Sequence, residues 1–412
     1  MKRETQPQIL LKSCCAALAV AATIMLAGPG IAPAQAQTLQ VLHSFTSGAG
    51  GAFPFAGVTL DQQGRIYGTT SEGGSHDDGV VYRLVRQGEG WIFSPIYSFG
   101  SQEHDGSYPV ARVILGPDGL LYGTTNYGGV EGSGTVFRLQ PPATVCKNVL
   151  CPWLETVLYS FTGGADGAYP EYGDLSFDHS GNLYGTTGGG GSSGCGVVFK
   201  LTRSGSSWTE SVVWNFNGVN DGCGPISGVI FDSAGNLYGT TSSGGPGNFG
   251  TAYELSPTQS GWTQTTLHAF GGIYAAGGLI WDAHGDLFGI TGADFGGGEG
   301  AAYELTPQNG SWSFTLLQDF GSEYIAPLAA PSFDSQGNLY GPLPTGGGDG
   351  FGEIFKLTPS GNQWLYSQFY QFTELGAAGI FPIGAVTFDV DGNMYGTSEQ
   401  GAGAGTVWEI TP

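Results

Sequence analysis

The sequence predicts an all-β chain folded as a seven-bladed β-propeller, with four antiparallel strands in each blade. Three observations predict this fold class. A phrase that starts and ends with glycine and has an aromatic residue in fourth place occurs seven times along the 412 residues. Runs of alternating apolar and polar β-formers surround each copy, and helical periodicity is lacking after residue 36. Short strands in units that repeat every ~40–60 residues are typical of propeller blades.

The first 36 residues are predicted to be a signal peptide that is cleaved after Ala36. A basic start precedes an apolar stretch from Cys14 to Ala27, and Ala34-Gln35-Ala36 is a small-x-small cleavage sequence. The apolar stretch is shorter than the ~20 residues of a membrane-spanning helix, although an uncleaved anchor stays open as the alternative. We therefore expect a secreted or periplasmic protein without a membrane span after processing.

The chain is strongly acidic. It carries 12 Lys and Arg residues against 34 Asp and Glu residues, which gives a formal net charge of −22 at pH 7. So few basic residues leave no positive surface for the phosphates of nucleic acids or anionic lipids. We therefore expect neither a nucleic acid nor a lipid surface as partner.

The seven copies of the glycine-aromatic phrase mark the seven blades. The copies are Gly64-Arg65-Ile66-Tyr67-Gly68, Gly119-Leu120-Leu121-Tyr122-Gly123, Gly181-Asn182-Leu183-Tyr184-Gly185, Gly235-Asn236-Leu237-Tyr238-Gly239, Gly285-Asp286-Leu287-Phe288-Gly289, Gly337-Asn338-Leu339-Tyr340-Gly341 and Gly392-Asn393-Met394-Tyr395-Gly396. Their aromatic residues are 55, 62, 54, 50, 52 and 55 residues apart. The long second interval predicts an insertion at residues 140–153 of blade two.

The two ends of the mature chain are predicted to share one blade. The seventh unit reaches its third strand at Thr406–Ile410, and a run that resembles the fourth strands of other blades stands at Leu39–Phe45. We predict that residues 38–45 pair with Thr406–Ile410, because this pairing closes the ring and protects two strand edges.

Four cysteines remain after the predicted cleavage. An even number in an oxidising compartment indicates two disulfides, predicted as Cys146–Cys151 and Cys195–Cys223. No histidine stands close to either pair, so a cysteine-histidine metal site is not predicted.

Two copies of the phrase read GNLYGTT, at Gly181–Thr187 and Gly235–Thr241. In this wording, and in the glycine-rich loop and strand that follow it, residues 38–412 resemble the GloVer tandem-repeat family of exported bacterial proteins. The resemblance implies a fold and an exported location, and it implies no reaction. Blades five and six depart from the pattern, with Ile290 and Pro342-Leu343 in place of threonines.

The links that lead into the blades carry a series of aromatic residues, which stand fourteen residues before the aromatic of the phrase or, once, fifteen. The series is Phe53, Tyr108, Tyr169, Tyr274 and Phe381, with Gly224 and Ala326 in the remaining blades. One interpretation is a ring of aromatic platforms around the channel mouth, suited to stacking on sugar rings. The other is that these side chains pack against the innermost strands and seal the channel.

Three of the links also contain an Asp-Gly pair, at Asp105, Asp166 and Asp221. Facing a channel, these carboxylates could hold a cation or act as an acid-base pair. Asp-Gly is also an ordinary turn sequence, which is the structural interpretation.

These features favour a noncatalytic binding or interaction module, monomeric and without cofactor or metal, with a carbohydrate or protein ligand on the face that carries the links. One alternative is an enzyme that degrades extracellular polysaccharide with channel-facing carboxylates. Another is a structural component of the cell surface. A Ser/His/Asp or Cys/His set cannot be assembled from the sequence spacing.

Overall fold

The computed structural model describes residues 37–143, 153–272, 274–275, 277–292, 300–321, 328–374, 376–401 and 403–411. The predicted signal peptide and the predicted Cys146–Cys151 disulfide lie outside these residues, as does most of the predicted insertion at 140–153. No helix in the described ranges is long and apolar enough to cross a lipid bilayer.

The described residues form thirty strands and one short 3-10 turn at Gly48–Gly50. In chain order the strands are β1 (Thr38–Ser44), β2 (Thr59–Leu60), β3 (Ile66–Thr70), β4 (Val80–Gln87), β5 (Gly90–Ser98), β6 (Gly106–Ser107), β7 (Ile114–Leu115), β8 (Leu121–Thr125), β9 (Tyr127–Gly128), β10 (Thr135–Gln140), β11 (Leu154–Ser160), β12 (Ser176–Phe177), β13 (Leu183–Thr187), β14 (Val197–Ser204), β15 (Ser207–Asn215), β16 (Ile230–Phe231), β17 (Leu237–Thr241), β18 (Thr251–Thr258), β19 (Gly261–Ala269), β20 (Leu279–Trp281), β21 (Leu287–Thr291), β22 (Gly300–Gln308), β23 (Ser311–Gly321), β24 (Ser332–Phe333), β25 (Leu339–Leu343), β26 (Glu353–Ser360), β27 (Gln363–Gln371), β28 (Thr387–Phe388), β29 (Met394–Ser398) and β30 (Thr406–Thr411).

Seven four-stranded antiparallel sheets confirm the predicted propeller. Blade one is β2-β3-β4-β5, with its short first strand nearest the propeller axis, and the later blades repeat this order. Strands β6 and β9 add a small two-stranded sheet to blade two. The core lies between neighbouring blades, as where Tyr67 and Ile96 of blade one pack against Val113 and Leu121 of blade two. Each blade therefore buries its apolar faces only inside a ring.

Residues of the repeated phrase hold the second strand of a blade to the turn before it and to the third strand. In blade four, Tyr238 Oη donates to Asp232 Oδ2 at 3.2 Å, and the backbone N–H of Asn236 donates to Asp232 Oδ1 at 2.9 Å. The second glycine of the phrase, Gly239, lies against the ring of Tyr253 on the third strand, where a Cβ atom would overlap that ring. The aromatic residue and the second glycine are therefore both structural.

In four blades the threonine that follows this glycine ties its blade to the next. Its hydroxyl donates to a link carbonyl of the following blade in four places: Thr69 to Ala111 (3.0 Å), Thr186 to Ser227 (2.9 Å), Thr240 to Gly277 (2.9 Å) and Thr397 to Ala56 (2.8 Å). Ile290 and Pro342 lack this hydroxyl, and in blade two the buried Oγ1 of Thr124 has no partner among the described residues.

The N-terminal strand completes the last blade, as predicted. Strand β1 pairs antiparallel with β30, with Leu39 opposite Ile410 and Ser44 opposite Thr406. Phe45 follows the strand, is fully buried, and donates its backbone N–H to Gly405 O at 2.9 Å. Both strand edges are therefore covered.

The predicted Cys195–Cys223 disulfide is present, and its two cysteines are 28 positions apart in the sequence. It joins the loop after β13 in blade three to the link that enters blade four. Closing a loop of this length lowers the chain entropy of the unfolded state and thereby stabilises the folded state by about 3.6 kcal/mol. The disulfide thus fixes two neighbouring loops on one face of the ring.

Candidate functional site

The face that carries the links and the loops between second and third strands is here called the top face. In four blades the aromatic residue of the link has a left-handed backbone, with φ of 57° at Phe53, 60° at Tyr108, 59° at Tyr169 and 60° at Phe381. Gly224 holds the same place in blade four with φ 67°. A side chain in this conformation costs about 1 kcal/mol or more relative to glycine. Four blades therefore keep an aromatic side chain where glycine would be less strained.

Hydrogen bonds on both sides fix this backbone conformation. The N–H of Tyr108 donates to Asp78 O in the loop of the preceding blade at 2.9 Å. Its carbonyl accepts from the backbone N–H of Asn126 in its own blade at 3.1 Å. Phe53, Tyr169, Gly224 and Phe381 make the same two contacts in their blades. The aromatic side chains are therefore held on rigid backbone.

Four aromatic rings of blades one to three form a continuous series, here called the tyrosine row: Phe55, Tyr108, Tyr127 and Tyr169. Successive ring centroids are 6.4, 5.8 and 5.7 Å apart. Tyr127 and Tyr169 are 46% and 42% exposed. The row thus offers apolar ring faces and phenolic hydroxyls to solvent.

Of the five predicted aromatic positions, Tyr108 and Tyr169 belong to the tyrosine row. Phe53 packs against the core cluster between blades seven and one, and the ring of Tyr274 contacts Phe249 at 5.0 Å. Phe381 is half-buried, and its backbone N–H is bonded to Phe351 O. The sealing interpretation thus fits Phe53, whereas the exposed row fits the platform interpretation.

Sequence reasoning missed Tyr127 and Phe55. Tyr127 stands two residues after the second strand of its blade, and the other six blades have a small or polar residue in that place: Glu72, Gly189, Ser243, Ala293, Thr345 and Gln400. A tyrosine at a position that is not aromatic in the other blades was the feature of the sequence that could have identified Tyr127.

The propeller axis contains a channel cavity of about 490 Å³, lined by the links and first strands of the blades. One ion pair stands in its wall. Arg112 donates from Nε and Nη2 to Asp174 Oδ2, at 2.9 and 2.6 Å, and from its backbone N–H to Asp174 Oδ1 at 3.2 Å. Arg112 Nη1 lies 3.5 Å from Thr387 Oγ1 of blade seven. Both charged side chains remain about 30% exposed to the cavity (29% and 32%).

Arg112 and Asp174 occupy the same place in neighbouring blades, ten residues before the aromatic of the phrase. The other five blades have a small residue there: Gly57, Gly228, Gly278, Ala330 and Ala385. Sequence reasoning missed the pair, although two charged residues in an otherwise small series were the signal. The link of blade three has one extra residue between Tyr169 and the phrase, which shifts its aromatic without moving Asp174.

Two carboxylates lie near the channel mouth, because the charges of Glu171 and Glu399 act on Tyr172, which lines the cavity. Burial raises the pKa of Glu171 and of Glu399 above the usual range of a glutamate. Burial also raises the pKa of Tyr108, and the negative charges of Glu72 and Glu399 raise it further. The tyrosine row therefore lies in a negative electrostatic environment.

The three predicted aspartates do not line the channel cavity. Each accepts a hydrogen bond from an aromatic side chain of the outermost strand and one from a backbone N–H four residues earlier. The aromatic pairs are Tyr97–Asp105 (2.8 Å), Tyr159–Asp166 (2.8 Å) and Trp214–Asp221 (3.2 Å). The backbone pairs are Ser101–Asp105 (3.1 Å), Thr162–Asp166 (2.8 Å) and Asn217–Asp221 (3.1 Å). These contacts are those expected from the turn interpretation.

A buried glutamate next to Asp105 makes stability depend on pH. Glu155 on β11 is 8% exposed, and its Oε1 has no partner among the described residues. Burial, and secondly the charge of Asp105, raise the pKa of Glu155 to about 8. The unfolded chain has the ordinary glutamate pKa, so folding takes up a proton between pH ~4.5 and 8, and stability falls as pH rises through that window.

Replacing Glu155 by Gln is expected to raise the melting temperature, more at pH 8 than at pH 5, because the amide needs no proton. Thermal melts at both pH values measure the difference. Glu103→Gln is the control, since the side chain of Glu103 is 89% exposed. An equal gain at both pH values would contradict the raised pKa.

Comparisons with known proteins add a family and a fold. Residues 31–151, 153–278 and 275–412 match the model of a family described as Gloeobacter/Verrucomicrobia repeat. Because these stretches cover most of the chain, the chain belongs to this family. No curated protein matches it in sequence.

Several solved structures are similar to this chain. The extracellular domain of a hybrid two-component system from B. thetaiotaomicron aligns with TM-score 0.55 and 10% identity, over 90% of this chain and 39% of that one. A protein from Bacteroides uniformis described as a 6-phosphogluconolactonase aligns with TM-score 0.49 and 16% identity, over 76% and 83%. This chain thus spans less than half the length of the first structure, and identities this low show the fold alone.

Proposed function

We propose that this member of the Gloeobacter/Verrucomicrobia repeat family is a noncatalytic binding module that is exported and binds a neutral carbohydrate on the tyrosine row. The observation that carries the proposal is the row itself. Tyr127 and Tyr169 are exposed, and Tyr108 and Tyr169 keep a strained left-handed backbone. Strain of this kind clusters at functional sites, although Phe53 keeps it in a packing position, so the exposure of the row carries more weight.

The chemistry of the row favours a sugar. The C–H faces of pyranose rings stack on aromatic rings, and phenolic hydroxyls exchange hydrogen bonds with sugar hydroxyls. Rigid backbone on both sides of Tyr108 means that little conformational freedom is lost on binding. The carboxylates at the mouth disfavour an acidic polysaccharide by charge repulsion.

Export is the second part of the proposal. It rests on the basic, apolar and small-x-small order of the first 36 residues, with cleavage after Ala36. The Cys195–Cys223 disulfide is consistent with it, since disulfides persist in oxidising compartments. The mass of the mature protein recovered from its producing cells tests the cleavage site.

Titration calorimetry against neutral linear hexasaccharides of glucose, xylose and mannose, with hexagalacturonate as the acidic comparison, tests the binding. Tyr169→Gly is expected to lower the affinity for the bound neutral sugar about tenfold or more. Its free energy of unfolding should stay within about 1 kcal/mol of the original, because glycine suits this backbone, as at Gly224.

Val390→Ala is the matched control, because Val390 is fully exposed on a turn outside the top face. It should change neither affinity nor stability. Failure of all the neutral hexasaccharides to bind would overturn the carbohydrate proposal, and binding only of a protein partner would replace it with the protein alternative.

A second candidate is an enzyme that cleaves polysaccharide, now with Glu171 and Glu399 as its carboxylates. Both residues lie close enough to Tyr172 of the cavity wall for their charges to raise its pKa, and burial raises their own pKa values, as is common for catalytic acids. Release of new reducing ends from the same hexasaccharides would support this candidate. Glu171→Gln and Glu399→Gln would then each abolish the release.

A further inference from the structure

We infer that the channel cavity is an end-binding subsite, in which Arg112 and Asp174 hold the terminal residue of a neutral saccharide chain. The inference rests on the proposed function, and it adds where the chain ends and which groups bind that end. It follows from the position of the cavity, the chemistry of the ion pair and the small residues around it.

The cavity continues directly from the tyrosine row. Phe55 lines the cavity, and its ring centroid is 6.4 Å from that of Tyr108 in the row. Tyr172 lines the cavity as well, and it lies close enough to Tyr108 and Tyr127 for their charges to affect its pKa. A linear saccharide chain that stacks on the tyrosine row therefore places one of its ends in the cavity.

The ion pair has the donors and acceptors that sugar hydroxyls require. Asp174 presents a carboxylate that accepts from hydroxyl groups, and Arg112 has further N–H donors beyond those bonded to Asp174. The remaining wall is mostly apolar, with Leu328 and Ile383 among its residues. One polar pair in an apolar wall fixes the orientation of a ligand.

The cavity fits an uncharged chain end. Five of the seven blades contribute glycine or alanine at the height of the ion pair, which leaves room beside it. A volume of about 490 Å³ is that of a pocket which encloses a small ligand or one end of a longer one. Asp174 already neutralises Arg112, so an acidic sugar gains no net attraction there.

Two measurements test the inference. In the first, a neutral hexasaccharide that binds and a soluble polymer of the same repeat are titrated into the protein. End binding predicts one protein molecule per chain at either length. Binding that scales with the number of sugar residues would overturn the inference and leave the proposed function in place.

In the second measurement, the double variant Arg112→Ala/Asp174→Ala is titrated with the same hexasaccharide. This variant repeats the small residues of the other five blades, so we expect it to fold and to melt close to the original. Its affinity should fall at least tenfold. Tyr169→Gly serves as the comparison that weakens the row alone.

An unchanged affinity in a folded double variant would overturn the end-binding inference only. Absence of binding by the original protein to every neutral hexasaccharide would overturn both proposals. The melting transition of the double variant shows whether it is folded. The single variant Asp174→Asn keeps a hydrogen-bond acceptor, and we expect it to lose less affinity than the double variant.

Discussion

A chain without residues 37–45 is expected to melt roughly 10 °C or more below the full chain, or to remain unfolded. Strand β1 supplies the outermost strand of blade seven, paired with β30 from Thr38 to Ser44. Its loss exposes the edge of β30 and the core beneath Leu42 and Phe45. It also removes the ring stack between His43 and Phe93 of blade one, whose centroids are 3.7 Å apart.

The expected loss in the free energy of unfolding is large because lost side-chain packing and lost strand pairing add together. Truncation of one fully buried phenylalanine to alanine costs about 3–5 kcal/mol, and the lost strand pairing adds to it. Phe45→Ala isolates the packing part and should lower the free energy of unfolding by that amount. Val390→Ala should leave it within about 0.5 kcal/mol. Equal melting temperatures for the truncated and full chains would show that β1 does not close the ring.

Gly396→Ala is expected to destabilise the protein by about 2–3 kcal/mol or more. A Cβ atom at this position would overlap the indole ring of Trp408, which is fully buried between blades seven and six. Neither the strand backbone nor the large ring has space to move. Denaturant unfolding of the variant measures the loss.

Gly90→Ala is the matched control, because its new Cβ would meet only ordinary van der Waals contact, at 4.0 Å from Gln87 O. It should change stability by less than about 1 kcal/mol. A similar small effect at Gly396 would mean that the second glycine of the phrase serves the backbone and not the packing. The same overlap occurs at Gly239 with Tyr253, so the result applies to more than one blade.

The fold was predictable because its signals are local and repeated. Each blade carries its own turn aspartate, aromatic residue and glycine, and the β1–β30 pairing follows from one run that resembles the fourth strands of other blades. The role of the second glycine was not predictable, because it depends on an aromatic residue of the next strand. The Cys146–Cys151 disulfide stays a prediction.

The candidate site was only partly predictable. Tyr108 and Tyr169 stand in a repeated link position, whereas Tyr127 and the Arg112–Asp174 pair are exceptions to the repeat in single blades. Exceptions become visible only when the blades are compared position by position. Glu155 lies close enough to Asp105 for the charge of Asp105 to raise the pKa of Glu155, and the spacing of these two residues in the sequence does not indicate it.

The pairing of Thr38 with Thr411 has a consequence for how the chain is made. Strand β1 is synthesised long before its partner β30. The contacts between them are therefore very distant in the sequence, and the fold is completed slowly. A chain interrupted before β30 leaves β1 unpaired and the seventh interface open. Such a fragment keeps exposed strand edges and is a target for proteolysis. Ring closure thus distinguishes chains that include β30 from chains that end before it.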